Sequence, residues 1–404
     1  ISDITARPMV LEALALLGKP AVPTMAGLLT RRDLSLPTRR SIVTALASIE
    51  GSAARDSLIA LAEEPALGPA AMNSLLRMRV AGRIDPIDPA TLQGTMEEEM
   101  AKGLRFSLAA SGLRSMAGDN PEAIFVAREL ESLRARSLHR VLRVLSLSYD
   151  TRRLSPVATA LLSKDIARVS NALELLEGSI SQDTAALVMP FMEAAAENFP
   201  EWRTIELVPD AITILQNPGE TLTNEKDWWP RSLGLHVLGR DDEISTPGRH
   251  KNKADDAQED EAMIPLIEKV MILKGSELFR NFPGPDLAGI ASLAQVVYLE
   301  PDEVLFNQGE EGDAFYMVVQ GGVRITRGST ELAILGTREG FGEMAILDQE
   351  TRSATATAAE ATTLLRIGQD SFDQLIEQNP TVARGIYRVL TERLRNTLAQ
   401  VAAG

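Results

Sequence analysis

The sequence predicts a multidomain chain of two structural classes: an N-terminal all-α solenoid, then a small antiparallel β-barrel of jelly-roll type with flanking helices. Three observations carry this. Up to about residue 239 apolar residues recur at helical spacing, with no convincing alternation of β-formers. Between 240 and 262 apolar side chains almost vanish. Beyond 263 short β-rich runs are separated by Pro-Asp and glycine turns. The expected domains are 1–239, helical; 240–262, a flexible charged linker; and 263–404, the barrel and its helices.

In the first region "VLEALALLGKPAVPTMAGLL" (Val10–Leu29) matches "IVTALASIEGSAARDSLIAL" (Ile42–Leu61) at an offset of 32. Val10 aligns with Ile42, Leu14 with Leu46, Leu17 with Ile49 and Ala21 with Ala53. Each copy reads as two short amphipathic helices, broken near Gly18-Lys19-Pro20 or Glu50-Gly51-Ser52. A pair of this kind cannot bury its apolar stripe alone, so neighbours must stack. The copies resemble HEAT repeats, with a period shorter than the usual ~40–47 residues. "IARVSNALELLEG" (Ile166–Gly178) and "WWPRSLGLHVLG" (Trp228–Gly239) keep only the apolar rhythm. The resemblance implies a scaffold that meets a protein partner through its helices.

The segment "RDDEISTPGRHKNKADDAQEDE" (Arg240–Glu261) cannot bury enough surface to offset the entropy of ordering and reads as a tether. After it come a helix-like lead and "AQVVYLEPDEVLFNQGEEGDAFYMVVQGGVRITRG" (Ala294–Gly328), short strands punctuated by turns. Phe315, Tyr316 and Met317 fall at core and edge positions of one such strand. The chain closes on a helix expected at Thr381–Ala399, with Val382, Ile386, Val389, Leu390, Leu394 and Leu398 on one face.

The totals exclude several classes. A formal net charge of −15 argues against a nucleic-acid partner, which needs clustered Lys and Arg. No cysteine is present, so disulfides and thiolate metal sites are absent, in keeping with a reducing compartment. No apolar run approaches the ~18 residues of a membrane span. Asp3 and Arg7 precede any apolar stretch, unlike a signal peptide. Ile1 in place of Met reads as a processed product or part of a longer polypeptide.

One stretch concentrates chemistry: "GFGEMAILDQETRSATATA" (Gly340–Ala358). Gly342 is expected where a strand passes into a short helix over Glu343–Leu347, whose N-terminus presents unpaired N–H groups to an anion. Glycine there lets a ligand approach the backbone. Arg352 adds a planar fork suited to phosphate oxygens, and Ser353, Ala354 and Thr355 leave room and supply donors. Glu343 needs a different partner, for which a ribose hydroxyl is the natural choice.

"FGEMA", a short connector and "RSAT" resemble the phosphate-binding cassette of cyclic-nucleotide-binding domains. The resemblance runs from about Met263 to Ala403. It implies that Glu343 holds the ribose 2′-hydroxyl, that Arg352 pairs with the cyclic phosphate, and that the amides of Gly342 and Ala354 assist. Met344 and Ala345 complete the cassette, and Ser353, at a position that influences base choice, mildly favours cAMP over cGMP. Arg384, Tyr387 and Arg388 are the candidates for a lid over the base. The cassette departs from the family in two places: Thr337-Arg338-Glu339-Gly340 lacks a Pro-Gly pair, and "LDQET" lacks glycine. The implied ligand is a cyclic nucleotide, with no metal and no catalytic residue. Motifs such as GxxxxGK[ST], HExxH and GxSxG are missing, and the three histidines, His139, His236 and His250, lie far apart.

The order of helical repeats, acidic linker and cyclic-nucleotide domain is similar to the soluble tails of certain bacterial membrane transporters. That similarity implies a cytoplasmic receptor, at the cytosolic face of a membrane if the chain continues. The competing expectation is an interaction scaffold whose nucleotide domain is vestigial.

Overall fold

The computed structural model describes residues 7–31, 33–62, 64, 66–161, 163, 165–245, 264–276, 279–280, 282–342 and 351–369, with 373, 387 and 391. The chain divides into two compact units, Ile1–Leu238 and Gly239–Gly404.

Among its described residues the first unit holds helices and no strand. Arg7–Leu17 and Val22–Leu29 are separated by the 3-10 turn Lys19–Ala21, and Leu36–Leu46 and Ser52–Ile59 follow. Their apolar stripes meet in one core, in which Met25, Ile42, Leu46 and Leu58 are fully buried. Burying each such side chain is worth roughly 1.5–3 kcal/mol.

Past residue 88 the short pairs give way to two long helices, Pro89–Ala117 and Pro121–Ser148, packed along each other. Both starts are specified locally. Asp88 accepts from the Ala90 amide at 3.0 Å, Asn120 accepts from the Glu122 amide at 2.9 Å, and a proline occupies the first helical position of each. No other proline interrupts 89–148, so nothing breaks these helices into a repeat. Gly112 serves close approach instead: a Cβ there would lie 2.3 Å from the Leu215 carbonyl oxygen. Ion pairs tie the long helices to their surroundings, Arg105 to Glu225 at 2.8 Å and Arg140 to Glu99 at 3.2 Å. Among the described residues no single helix is long and apolar enough to cross a membrane. Met9–Leu17 and Lys19–Leu29 reach that composition only when joined across a 116° bend.

The second unit begins with helices Leu266–Gly275 and Gly284–Ala291. Eight strands follow: β1 Gln295–Leu299, β2 Val304–Phe306, β3 Ala314–Gln320, β4 Val323–Arg327, β5 Thr330–Leu335, β6 Gly340–Phe341, β7 Thr355–Ala358 and β8 Thr362–Gly368. They form two antiparallel four-stranded sheets, ordered β1-β8-β3-β6 and β2-β7-β4-β5. Leu299, Val318 and Leu364 from one sheet meet Val323, Ala356 and Ala358 from the other in a shared core. Strand β7 shows the pleat plainly, with Ala356 and Ala358 buried and Thr355 and Thr357 half-exposed between them. Asp241–Glu243 forms a 3-10 turn; the rest of the expected linker from 246 on, the short helix expected at 343–347 and, apart from Tyr387 and Thr391, the closing helix lie outside the described residues.

Candidate functional site

The site is built around Arg352, and the backbone before β7 sets its position. The Arg352 amide donates to the Glu310 carbonyl at 2.8 Å, and its own carbonyl accepts from the Gly309 amide at 2.8 Å. Thr351 bridges Glu311 alongside. The turn Gly309-Glu310-Glu311-Gly312 thus fixes the residue from outside the barrel while its side chain turns inward.

Only 5% of Arg352 is exposed. Nη1 donates to the Ala314 carbonyl at 2.9 Å, and Nη2 reaches Asp313 Oδ1 at 3.5 Å. Nε is buried with no hydrogen-bond partner among the described residues. The guanidinium carbon lies 4.1 Å from the centroid of the Phe306 ring and 5.6 Å from that of Tyr316, within cation–π range. Tyr316 stacks on Phe341 at 5.5 Å, so Phe306, Tyr316 and Phe341 form one aromatic wall behind the charge. Burial pushes the Arg352 pKa below the ordinary guanidinium value, opposed by Tyr316 and Asp313. Arginine stays charged through such a shift, so the wall encloses a cation whose Nε has no acceptor among the described residues.

Gly342 has φ +77°, a left-handed conformation that glycine adopts without strain. A Cβ there would stand 2.7 Å from Arg352 Nη1 and 3.1 Å from the Ala314 oxygen. The sequence reading gave this space to a ligand; in the structure the guanidinium itself occupies it. Burial alternates after Arg352: Ala354 is buried like Arg352, and Ser353 between them is exposed, its carbonyl accepting from Arg327 Nε at 3.2 Å.

Of the other residues singled out in the sequence, Glu343, Met344, Ala345, Arg384 and Arg388 lie outside the described residues. Tyr387 is 68% exposed. The expected meeting of Glu343 with Arg352 therefore falls outside what is described. Phe315, Tyr316 and Met317 are all three buried in β3, where the sequence suggested a mix of core and edge positions. The part that Phe306, Asp313, Ala314 and Tyr316 play around Arg352 was not read from the sequence. Its one local signal was Asp313, a charge wedged between a glycine turn and an apolar strand.

A buried planar cation with an N–H unpartnered among the described residues, an aromatic wall and a carboxylate no nearer than 3.5 Å is equipped to take a small anion. Comparison with known proteins agrees in class. The family model described as "Cyclic nucleotide-binding domain" matches residues 296–379. The cyclic AMP receptor protein of Thermus thermophilus is 38% identical over 128 residues, covering 30% of this chain and 59% of that protein. A cGMP-dependent protein kinase of Eimeria tenella is 34% identical over 87 residues, covering 22% of this chain and 9% of the kinase. The crystal structure of the Thermus thermophilus catabolite activator protein aligns at 33% identity with a TM-score of 0.28, covering 31% of this chain and 62% of that one. Residues 296–379 accordingly form a cyclic nucleotide-binding domain, and the chain spans less than two thirds of the length of the relatives that share it. The match lies within the second unit and does not touch Ile1–Leu238.

Proposed function

We propose that the chain is a receptor: its barrel binds a cyclic nucleotide, cAMP in preference to cGMP, and its bound state is passed to a HEAT-like helical scaffold that engages a protein partner. Arg352 carries the reading. It is 5% exposed, backed by an aromatic wall, and has an N–H without a partner among the described residues. An anionic cyclic phosphate supplies the acceptors that such a cation lacks. Small neighbours support the fit, since Ser353 and Ala354 carry short side chains and Gly342 admits the guanidinium. The role is binding and signalling, without chemical turnover, and the partner is a membrane transporter in the same or another chain.

Calorimetry with cAMP and cGMP side by side on the full chain tests this. Saturable heat with the tighter constant for cAMP is the expected result. Tighter cGMP binding reverses the preference. No heat with either nucleotide leaves the second reading, an interaction scaffold with a vestigial nucleotide domain.

A further inference from the structure

Asp313 sits between two arginines, and the division of its carboxylate between them is uneven. Oδ2 accepts from Arg366 Nη2 at 2.5 Å, whereas Oδ1 is 3.5 Å from Arg352 Nη2. Arg366 comes from β8, opposite Tyr316 of β3 and Gln295 of β1 in the sheet register. Its other end is held as well, with Nη1 donating to Gln295 Oε1 at 3.3 Å. Asp313 is itself mostly exposed, with 67% of its side chain open to solvent, on the loop just before β3. Its carboxylate is the nearest anion to Arg352 among the described ion pairs.

A carboxylate beside an anion-binding guanidinium competes with the incoming anion, because both seek the same N–H groups. Its strength as a competitor depends on where its charge is spent. We infer that Arg366 sets the affinity of the Arg352 site by holding the Asp313 carboxylate away from it. The nucleotide phosphate then meets a guanidinium with free donor capacity, and Asp313 stays on Arg366 instead of following the ligand's departure with a tight pair to Arg352. Arg366 is in this sense a positioning residue: it acts on the ligand through Asp313. The inference rests on the binding reading above and adds to it a residue that the cassette does not contain.

Arg366→Gln frees Asp313 to close on Arg352, and cAMP affinity measured by calorimetry is expected to fall roughly tenfold. Loss of a positive charge near the phosphate would weaken binding too, so the second substitution decides. Asp313→Asn in the Arg366→Gln background removes the competitor and is expected to return most of the affinity. A double variant as weak as Arg366→Gln alone overturns the inference, as does an Arg366→Gln chain that binds like wild type. Arginine side-chain ¹⁵N resonances give a readout that needs no nucleotide. In the free protein Arg366→Gln is expected to move the Arg352 signals, and adding Asp313→Asn to move them back. Unmoved signals overturn the inference even in a chain that takes up no cyclic nucleotide, an outcome that would defeat the binding reading by itself.

Discussion

Arg352 is held where solvation is poor, and among the described residues its acceptors are one backbone carbonyl at 2.9 Å and a carboxylate oxygen at 3.5 Å. Such a residue contributes little to folding and much to a ligand that completes its shell. Removing one partner of a buried, hydrogen-bonded charge pair costs about 2–5 kcal/mol. Arg352→Ala is therefore expected to weaken cAMP binding by roughly 30-fold or more, since each 1.4 kcal/mol is about a decade. Stability should respond differently. Arg352→Met keeps an apolar stem against Phe306 and releases the desolvated charge, while orphaning the Ala314 carbonyl. These effects oppose each other, and the ligand-free barrel is expected to stay within about 2 kcal/mol of wild type in thermal melts. A methionine variant that binds normally would put the phosphate elsewhere. One that fails to fold would make the arginine a structural residue.

At the scale of the element, the same residue type does opposite jobs. Glycines at 18 and 51 stand where helices break, whereas Gly112 lies inside a 29-residue helix against the Leu215 carbonyl. A Cβ at 2.3 Å from a backbone oxygen cannot be relieved by rotating a side chain. Gly112→Ala must push Ala211–Gln216 away, and overpacking of this kind costs about 1–3 kcal/mol. Denaturant unfolding followed by far-UV circular dichroism is expected to lose the helical signal at lower denaturant, with the barrel transition unmoved. This ambiguity explains what was legible in the sequence. The short pairs could be read at 18–20 and 50–52, where glycine coincides with proline or serine. The long helices could not, because a packing glycine and a breaking glycine look alike without the facing helix. Strands were legible from their turns. The Gly342–Arg352 contact was not, since it depends on β6 coming beside the segment that leads into β7.

The whole molecule has two units and one recognised ligand-binding domain, so a linkage experiment can ask what the helices hear. A ligand shifts an equilibrium only by its differential affinity for the states involved. Binding to the native barrel alone, at a free concentration of 100 times the dissociation constant, stabilises that barrel by about 2.7 kcal/mol. For a unit of this size that raises its midpoint by roughly 5–10 °C. Units that fold independently melt in separate transitions, and calorimetric scans of the full chain should resolve them. If cAMP moves the barrel transition while the helical one stays, the nucleotide is bound and the helices are indifferent to it at equilibrium, which ends the signalling part of the proposal. Signalling requires the helical transition to move as well, because coupling is reciprocal: helices that respond to cAMP must also change the barrel's affinity for it. A chain truncated after Leu238 gives the control, since its melting is expected to ignore cAMP at every concentration. The same reciprocity predicts that residues 239–404 alone bind cAMP with a constant different from that of the full chain, measured side by side in one buffer. Equal constants would mean that the two units share a chain without sharing free energy.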